Sequence, residues 1–426
     1  MGVNYNYTIK EKIRKLLLFI SIYCTQTSFA LNLMFPERIN SIMIASTLLI
    51  FVVLIILYKS IQIRLATILL FVSLCMVLTA LTNQHYSGGY VIVIMGFFQA
   101  MMFVSAYNRE NFYEDYISIM VFLGLFSLVA SLLVYNNWLG INGVFPVLIN
   151  SVGDRYLNFL IAIPSITLSM FRVNGIWGEA GMFGVYLVFA LLMELFYVHR
   201  PPKPQNIILL LLISILTLSA TVFVVIALTC VTYYFTVKRA DFLSKLKYIF
   251  VLIPIIVIVV LLISYFSPGA FNAVFSKYDV NNISFIGRAA PIVYNISQWT
   301  DKPIFGNGLS LNLGEAFELM VFRGQFYRIR FNTTTSLIIL NYFGIPMFCL
   351  HLFLVFRFSR CHNWRAFKFG WLSRTIVLMI IVLININTQD VELDQTMSLL
   401  LMSSFMKEGD NKGEACEGCL SRICDA

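Results

Sequence analysis

Asn40 to Tyr58 reads NSIMIASTLLIFVVLIILY, a run without a single charge. At about 1.5 Å of rise per residue, a helix of this length matches the roughly 30 Å hydrocarbon core of a bilayer. Comparable apolar runs lie at about 15 to 35, 65 to 82, 89 to 106, 116 to 135, 180 to 198, 205 to 218, 221 to 237, 248 to 266, 335 to 356, 375 to 388 and 395 to 406. Only 12% of the 426 residues are charged and 59% are hydrophobic, whereas a soluble domain is about 25% charged. A water-soluble enzyme, a disordered chain and a disulfide-stapled secreted domain are excluded. The expected fold is therefore all-α, a polytopic integral membrane protein with about 12 transmembrane helices, residues 1–426 forming a single transmembrane helical domain.

The net charge of +9 names no partner, and no nucleic acid is implied, because in a membrane protein the side on which each Lys and Arg falls matters more than the sum. With the N-terminus (Lys10, Lys12, Arg14, Lys15) cytoplasmic, 21 of the 30 lysines and arginines fall on inner segments. Both termini are expected to be cytoplasmic, with 407–426 a cytoplasmic tail. The first run is too long for the apolar region of a cleaved signal and is read as retained. The shortest runs, at 205 to 218, 375 to 388 and 395 to 406, are the weakest spans, and two of them are candidates for a re-entrant pair. All eight cysteines sit within spans or on the inner side, which leaves no exported disulfide, and Cys416, Cys419 and Cys424 lack a fourth metal ligand.

Two expected outward segments exceed simple turns. Residues 136–180 contain YLNFLIAIPSITLSM, an apolar stretch with Pro164 that is read as interfacial or re-entrant. Residues 267–334 are long enough for an extramembrane lid, and a loop of that length is usually functional.

Arg172 to Gly184 reads RVNGIWGEAGMFG. In a helix, Arg172 and Glu179 stand two turns apart and face one cavity. Gly175, Gly178, Gly181 and Gly184 recur every third residue, and for them alone a helix-packing stripe is the preferred reading. The Arg172–Glu179 pair is read as functional, because ionisable groups at membrane depth are costly. In the large loop, Arg288, Arg328 and Arg330 suit an anionic ligand such as a diphosphate, whose oxygens the guanidinium fork holds in pairs. Arg323 and Lys302 fit an anionic lipid surface equally well. Gly306 and Gly308 mark a turn. Asp390, Glu392 and Asp394 are read as a solvated acidic loop, and His351, within an apolar run, as remote from any outer site.

Arg172-x-x-Gly175-x-x-x-Glu179, Gly287-Arg288 with Trp299, Pro303-x-x-Gly306-x-Gly308, and Asn332 followed by a span with Phe343-Gly344-Ile345 together resemble the bacterial O-antigen polymerase (Wzy) and ligase superfamily. The layout of about twelve spans with a large later loop is similar to it along nearly the whole chain. The resemblance implies an enzyme of lipopolysaccharide biosynthesis in the inner membrane, a glycosyltransferase that joins undecaprenyl-diphosphate-linked oligosaccharide repeats on the periplasmic face. Donor and acceptor are both lipid-linked, a chain-length regulator and a flippase are implied as partners, and no metal or organic cofactor is implied. Glu179, Arg172 and Arg288 are the expected catalytic residues. Arg328, Arg330, Asn332, Gly306 and Gly308 are the expected substrate-binding residues. Ligases typically carry His-Asn before the span after the large loop, and Arg330-Phe331-Asn332 has no histidine, so the polymerase branch is preferred over a ligase. A polysaccharide flippase or other transporter is the alternative from another class; it would place its key charges near the bilayer midplane.

Overall fold

The computed structural model describes residues 2–25, 28–58, 62–137, 140, 143–149, 153–166, 171–236, 283–310, 319–322, 325–328, 334–360, 371–387 and 394–408. The expected span at 248 to 266 and the cysteine-bearing tail lie outside them. In chain order the helices are α1 (Gly2–Tyr23), α2 (Phe29–Met34), α3 (Ile39–Tyr58), α4 (Ala66–Asn83), α5 (Gly88–Ala106), α6 (Arg109–Tyr135), α7 (Ala180–Leu192, closed by a π turn Met193–Tyr197), α8 (Pro204–Leu216), α9 (Ala220–Thr236), α10 (Ile283–Asp301), α11 (Thr335–Arg360), α12 (Trp371–Ile386) and α13 (Gln395–Met402). Two small antiparallel ribbons, β1 (Val147–Ile149) with β2 (Arg155–Leu157) and β3 (Leu319–Phe322) with β4 (Gln325–Arg328), lie in the two expected outward segments.

By length and apolar composition, α3, α4, α5, α6 and α7 with its π turn are long enough to cross a bilayer, and α11 has the length but is broken at Gly344. These are the helices of a multi-pass membrane protein. α3 and α4 leave Leu48, Leu49, Val52, Ile56, Leu70, Leu74, Val77 and Leu81 exposed, a surface that only lipid or another protein can cover. α7 is apolar on every side, buried throughout, and forms the centre of the bundle.

Hydrogen bonds assign the helix ends to two levels. At a charged end, Arg109 at the start of α6 donates to the carbonyls of Met406 (3.1 Å) and Ser404 (3.3 Å), beyond α13. There Arg200 donates to Glu114 (2.7 Å), and both its terminal nitrogens reach the fully buried Glu194 of the π turn (2.6 and 2.8 Å). Glu194 also accepts from the Lys203 N–H and the Asn206 amide, so its lone pairs are filled and the turn from α7 into α8 is fixed. The hydrogen bonds that Arg200 donates to Glu194 hold its guanidinium above its ordinary pKa. At the opposite, loop-bearing end lie Asn83, Tyr90, Arg172 and residues 302–308.

Several expected spans differ from the sequence reading. The run at 15 to 35 is broken after Tyr23, because the Ala30 N–H bonds to the Ile176 carbonyl and the Phe29 ring occupies the space left by Gly178. The run at 335 to 356 is folded back on itself. Ser336 Oγ lies 3.2 Å from His351 Nε2, whereas fifteen residues of straight helix would separate them by about 22 Å. The reversal is at Gly344, with φ 73° and ψ −169°, a region essentially restricted to glycine. Thr335–Phe343 is thus a half-helix and Ile345–Arg360 a separate, returning one. α12 and α13 are also short of a full crossing at about 1.5 Å per residue.

The break is capped from both sides by one loop. The Asn341 carbonyl, orphaned at the end of the first half-helix, accepts from the Asn307 N–H at 2.7 Å, and the Ile345 N–H, orphaned at the start of the second, donates to the Pro303 carbonyl at 3.1 Å. Pro346 falls in the first turn of the returning helix, where its missing N–H costs nothing. Gly306 lies against the backbone of residues 341–343, where any Cβ would collide. The loop is itself held by Thr79 and Asn83 of α4, which bond the carbonyls of Phe305 and Gly306, each at 3.1 Å.

Gly344→Ala is expected to cost on the order of 3 kcal/mol or more, since it combines strained backbone with a clash against the Ile304 carbonyl. Gly88→Ala, where a Cβ meets open space, should stay within about 0.5 kcal/mol of wild type. Thermal unfolding of the detergent-solubilised proteins checks the contrast.

Candidate functional site

The segment before α7 is not helical. Gly175 and Gly178 take φ values of +65° and +67° and turn the chain, so Arg172 and Glu179 are related by a loop and not by a helix face. A Cβ at Gly175 would press on the Phe183 ring, which means these glycines serve turning and close packing. Gly184, inside α7, packs against Val222 of α9. Arg172 is half-buried and donates from Nε to the Thr217 carbonyl at 3.2 Å. Burial lowers its pKa from the ordinary value, against the opposing pull of Glu179 and Tyr156. Glu179 is exposed, occupies the N-cap position of α7, and does not use its side chain as a cap.

The other expected residues lie apart or beyond description. Arg288 is on α10, and Arg328 ends β4 opposite Leu319; only their backbone is described. Arg330, Asn332, Arg323, Asp390 and Glu392 lie outside the described residues. Gly306 and Gly308 shape the loop that caps the break in α11, with a Cβ at Gly308 blocked by Tyr90 and Asn83. Lys302 donates to Asn83 Oδ1 at 2.6 Å and so fastens the same loop. Among the described residues, no group of three His, Cys, Asp or Glu side chains stands ready to hold a metal ion.

Sequence reasoning missed a polar level inside the bundle. From Asn307, asparagine side chains relay inward: Asn307 to Asn341 (2.9 Å), Asn341 to Asn295 (3.0 Å), Asn295 to Thr334 (3.1 Å). Next in the chain, Ser336 holds His351 and exchanges two bonds with Asn387, at 2.8 and 2.9 Å, just past α12. Asn385 reaches the Val185 carbonyl of α7 at 3.0 Å. The neighbouring Tyr186 donates to Asp394 at 2.9 Å, while its carbonyl accepts from Tyr116 at 3.1 Å. His351 is about 10 Å of helix from Gly344 and about 14 Å from Arg360, which puts this level near mid-depth. Asp394 lies there too, some 18 Å of helical rise from the charged end.

Asp394 therefore departs from the solvated-loop expectation. It is 3% exposed and caps α13 by accepting from the Met397 N–H at 2.6 Å. The signal was an Asx residue directly before an apolar run, the sequence mark of a helix start. For His351 the signal was Gly344-Ile345-Pro346, a breaker pattern inside an apolar run.

Beside Asp394, the amide of Gln395 and the hydroxyls of Thr396 and Ser398 are buried with no hydrogen-bond partner among the described residues. An unmatched buried polar group costs about 1–3 kcal/mol, so three in four positions is an unfavourable way to build a purely structural helix.

Asp394→Ala, which removes the cap and the acceptor for Tyr186, is expected to destabilise the protein by about 1–3 kcal/mol. Asp394→Asn keeps a capping oxygen and should lose less than half of that; unfolding curves of the two variants check it. No family model matches the chain, and no curated protein matches it in sequence.

Proposed function

We propose that the protein is a membrane glycosyltransferase of the O-antigen polymerase type, joining oligosaccharide repeats carried on undecaprenyl diphosphate. The observation that carries this reading is the electrostatic attraction between half-buried Arg172, fixed by its bond to the Thr217 carbonyl, and exposed Glu179 at the loop-bearing end of α7. The residue-level resemblance supplies the substrate class. In this reading the loop-bearing end faces the periplasm of a bacterial inner membrane and both termini are cytoplasmic. A hydroxyl of one lipid-linked repeat attacks the anomeric carbon of the donor chain, the bond from that carbon to the diphosphate oxygen breaks, and the acceptor proton passes to Glu179. Arg172, Arg288, Arg328 and Arg330 hold the charge that develops on the departing diphosphate, the electrostatic role that fixed cations play in transition states. Asn332 hydrogen-bonds sugar. A flippase and a chain-length regulator are the partners of such an enzyme.

One observation favours a second reading, a flippase or other transporter. Interrupted helices meet at mid-depth around Asp394, the arrangement in which transporters build substrate and ion sites. The ligase branch is separable by product, since His351 stands beside Ser336 although Arg330-Phe331-Asn332 lacks a histidine.

A strain lacking the protein should carry a single repeat on its lipid A-core. Arg172→Ala and Arg288→Ala should reproduce that phenotype at unchanged protein level, with about 10²–10³-fold less polymer formed by purified protein. Bare core with carrier-linked polymer would make the protein a ligase, and repeats trapped on the cytoplasmic leaflet would make it a flippase. Gels of lipopolysaccharide with analysis of the carrier pool distinguish the three.

A further inference from the structure

α10 turns its polar side chain inward and its apolar side chains outward. Its buried side holds Asn295, 1% exposed, which donates to Thr334 Oγ1 at 3.1 Å and accepts from the Asn341 amide at 3.0 Å. Its open side holds Ile292, Val293 and Ile296, which are 42%, 51% and 43% exposed and form one stripe along the helix. A helix bathed in water is arranged the other way round, whereas in hydrocarbon this arrangement is the favourable one. The hydroxyls of the open side are satisfied within the helix: Ser297 Oγ donates to the Tyr294 carbonyl at 2.8 Å, and Thr300 Oγ1 to the Ser297 carbonyl at 2.6 Å. Such bonds let a hydroxyl face lipid, where no water is present to receive it.

The depth of the stripe follows from what α10 is tied to. Asp301, its last residue, precedes Lys302, which bonds Asn83 at the end of α4, a helix long enough to span. Trp299 donates from its ring N–H to the Pro303 carbonyl at 3.1 Å, an apolar body with a satisfied polar tip, as suits the edge of the hydrocarbon. Asn295 then bonds both ends of the first half of α11: Asn341 beside the capping loop, and Thr334 next to Ser336 of the buried polar level. α10 thus descends alongside that half-helix. At about 1.5 Å per residue, Ile296 and Ile292 stand about 8 and about 14 Å along the helix from Asp301, and one leaflet of hydrocarbon is about 15 Å deep. The surface is continuous with a second apolar row. The Pro303 carbonyl that receives Trp299 also receives the Ile345 N–H, and Ile345, Cys349 and Phe353, all exposed, follow one another at four-residue intervals down the returning half of α11.

We propose that α10 from Pro291 to Trp299 is embedded in the leaflet at the loop-bearing end, with Ile292, Val293 and Ile296 in contact with lipid acyl chains. This goes beyond the glycosyl-transfer reading and does not depend on it. It moves part of residues 267–334 out of an extramembrane lid and into the membrane.

The test uses the full-length protein in liposomes of phosphatidylethanolamine and phosphatidylglycerol. In a background with the eight native cysteines replaced, Val293→Cys, Ile296→Cys, Asp301→Cys and, on α4, Leu74→Cys carry a nitroxide one at a time. Collision rates are measured with oxygen, which concentrates in lipid, and with a water-soluble nickel chelate. Labels at Val293 and Ile296 should match the label at Leu74, with an oxygen-to-nickel ratio several-fold above that at Asp301. Because a labelled variant that fails to fold reports nothing, the unaltered protein is also irradiated with a diazirine carried on a lipid acyl chain, and mass spectrometry should find the reagent inserted at Ile292, Val293 or Ile296. A preference for nickel at Val293 and Ile296 would show a water-facing helix and overturn the proposal. So would exclusion of both collision partners with no insertion of the lipid reagent, which would show that protein, a second copy or another segment of this one, covers the stripe.

Discussion

The hydrogen bond from the Asn307 N–H to the Asn341 carbonyl, with its companion from Ile345 to Pro303, is what permits a helix to break inside this protein. In hydrocarbon, backbone groups must be satisfied within the protein, and a helix interrupted at Gly344 leaves carbonyls on one side and N–H groups on the other without partners. The Pro303–Gly308 loop supplies both sets at once. It fits because Gly306 lets backbone lie on backbone and because α4 and α10 hold it in place, through Asn83, Thr79, Gln298 and Trp299. The polar interior follows from that reversal, since without it Ser336 and His351 would stand about 22 Å apart along one helix.

The reversal places the last part of the chain at one depth. The first half of α11 begins, α12 ends and α13 begins at the level of Ser336, Asn387 and Asp394, and each contributes polar side chains to the interior. Short helices that end inside the bundle aim their termini at this region, where fixed dipoles are little screened. The Arg172–Glu179 loop adjoins it through Trp177 and Tyr186, so the loop-bearing end and the buried level form one continuous structure around α7.

The long apolar runs of α3 to α6 were legible because each is a full span bounded by Asn, Gly or charged residues. The break after Tyr23 was not, because nothing local marks it; it arises where Phe29 meets Gly178 and Ala30 meets Ile176, contacts distant in sequence. The motif around Arg172 was visible, but its glycine spacing suggested a helix stripe, and only φ values of +65° and +67° show two of those glycines to be turns. His351 reads as remote from any outer site while its apolar run is taken as one span, although Gly344-Ile345-Pro346 carries the contrary signal. Asp394 reads as a loop residue by its charge alone, and as a helix cap only when its place before Gln395–Met402 is weighed.

The central claim is that α11 folds back at Gly344, and a cross-link tests it directly. In a background with the eight native cysteines replaced, Ser336→Cys and His351→Cys are introduced together, and membranes are oxidised and cleaved between the two positions. The two fragments should remain joined until reduced, since the native side-chain atoms lie 3.2 Å apart. Fragments that separate without reduction would show a straight helix, with the positions about 22 Å apart, and would contradict the account.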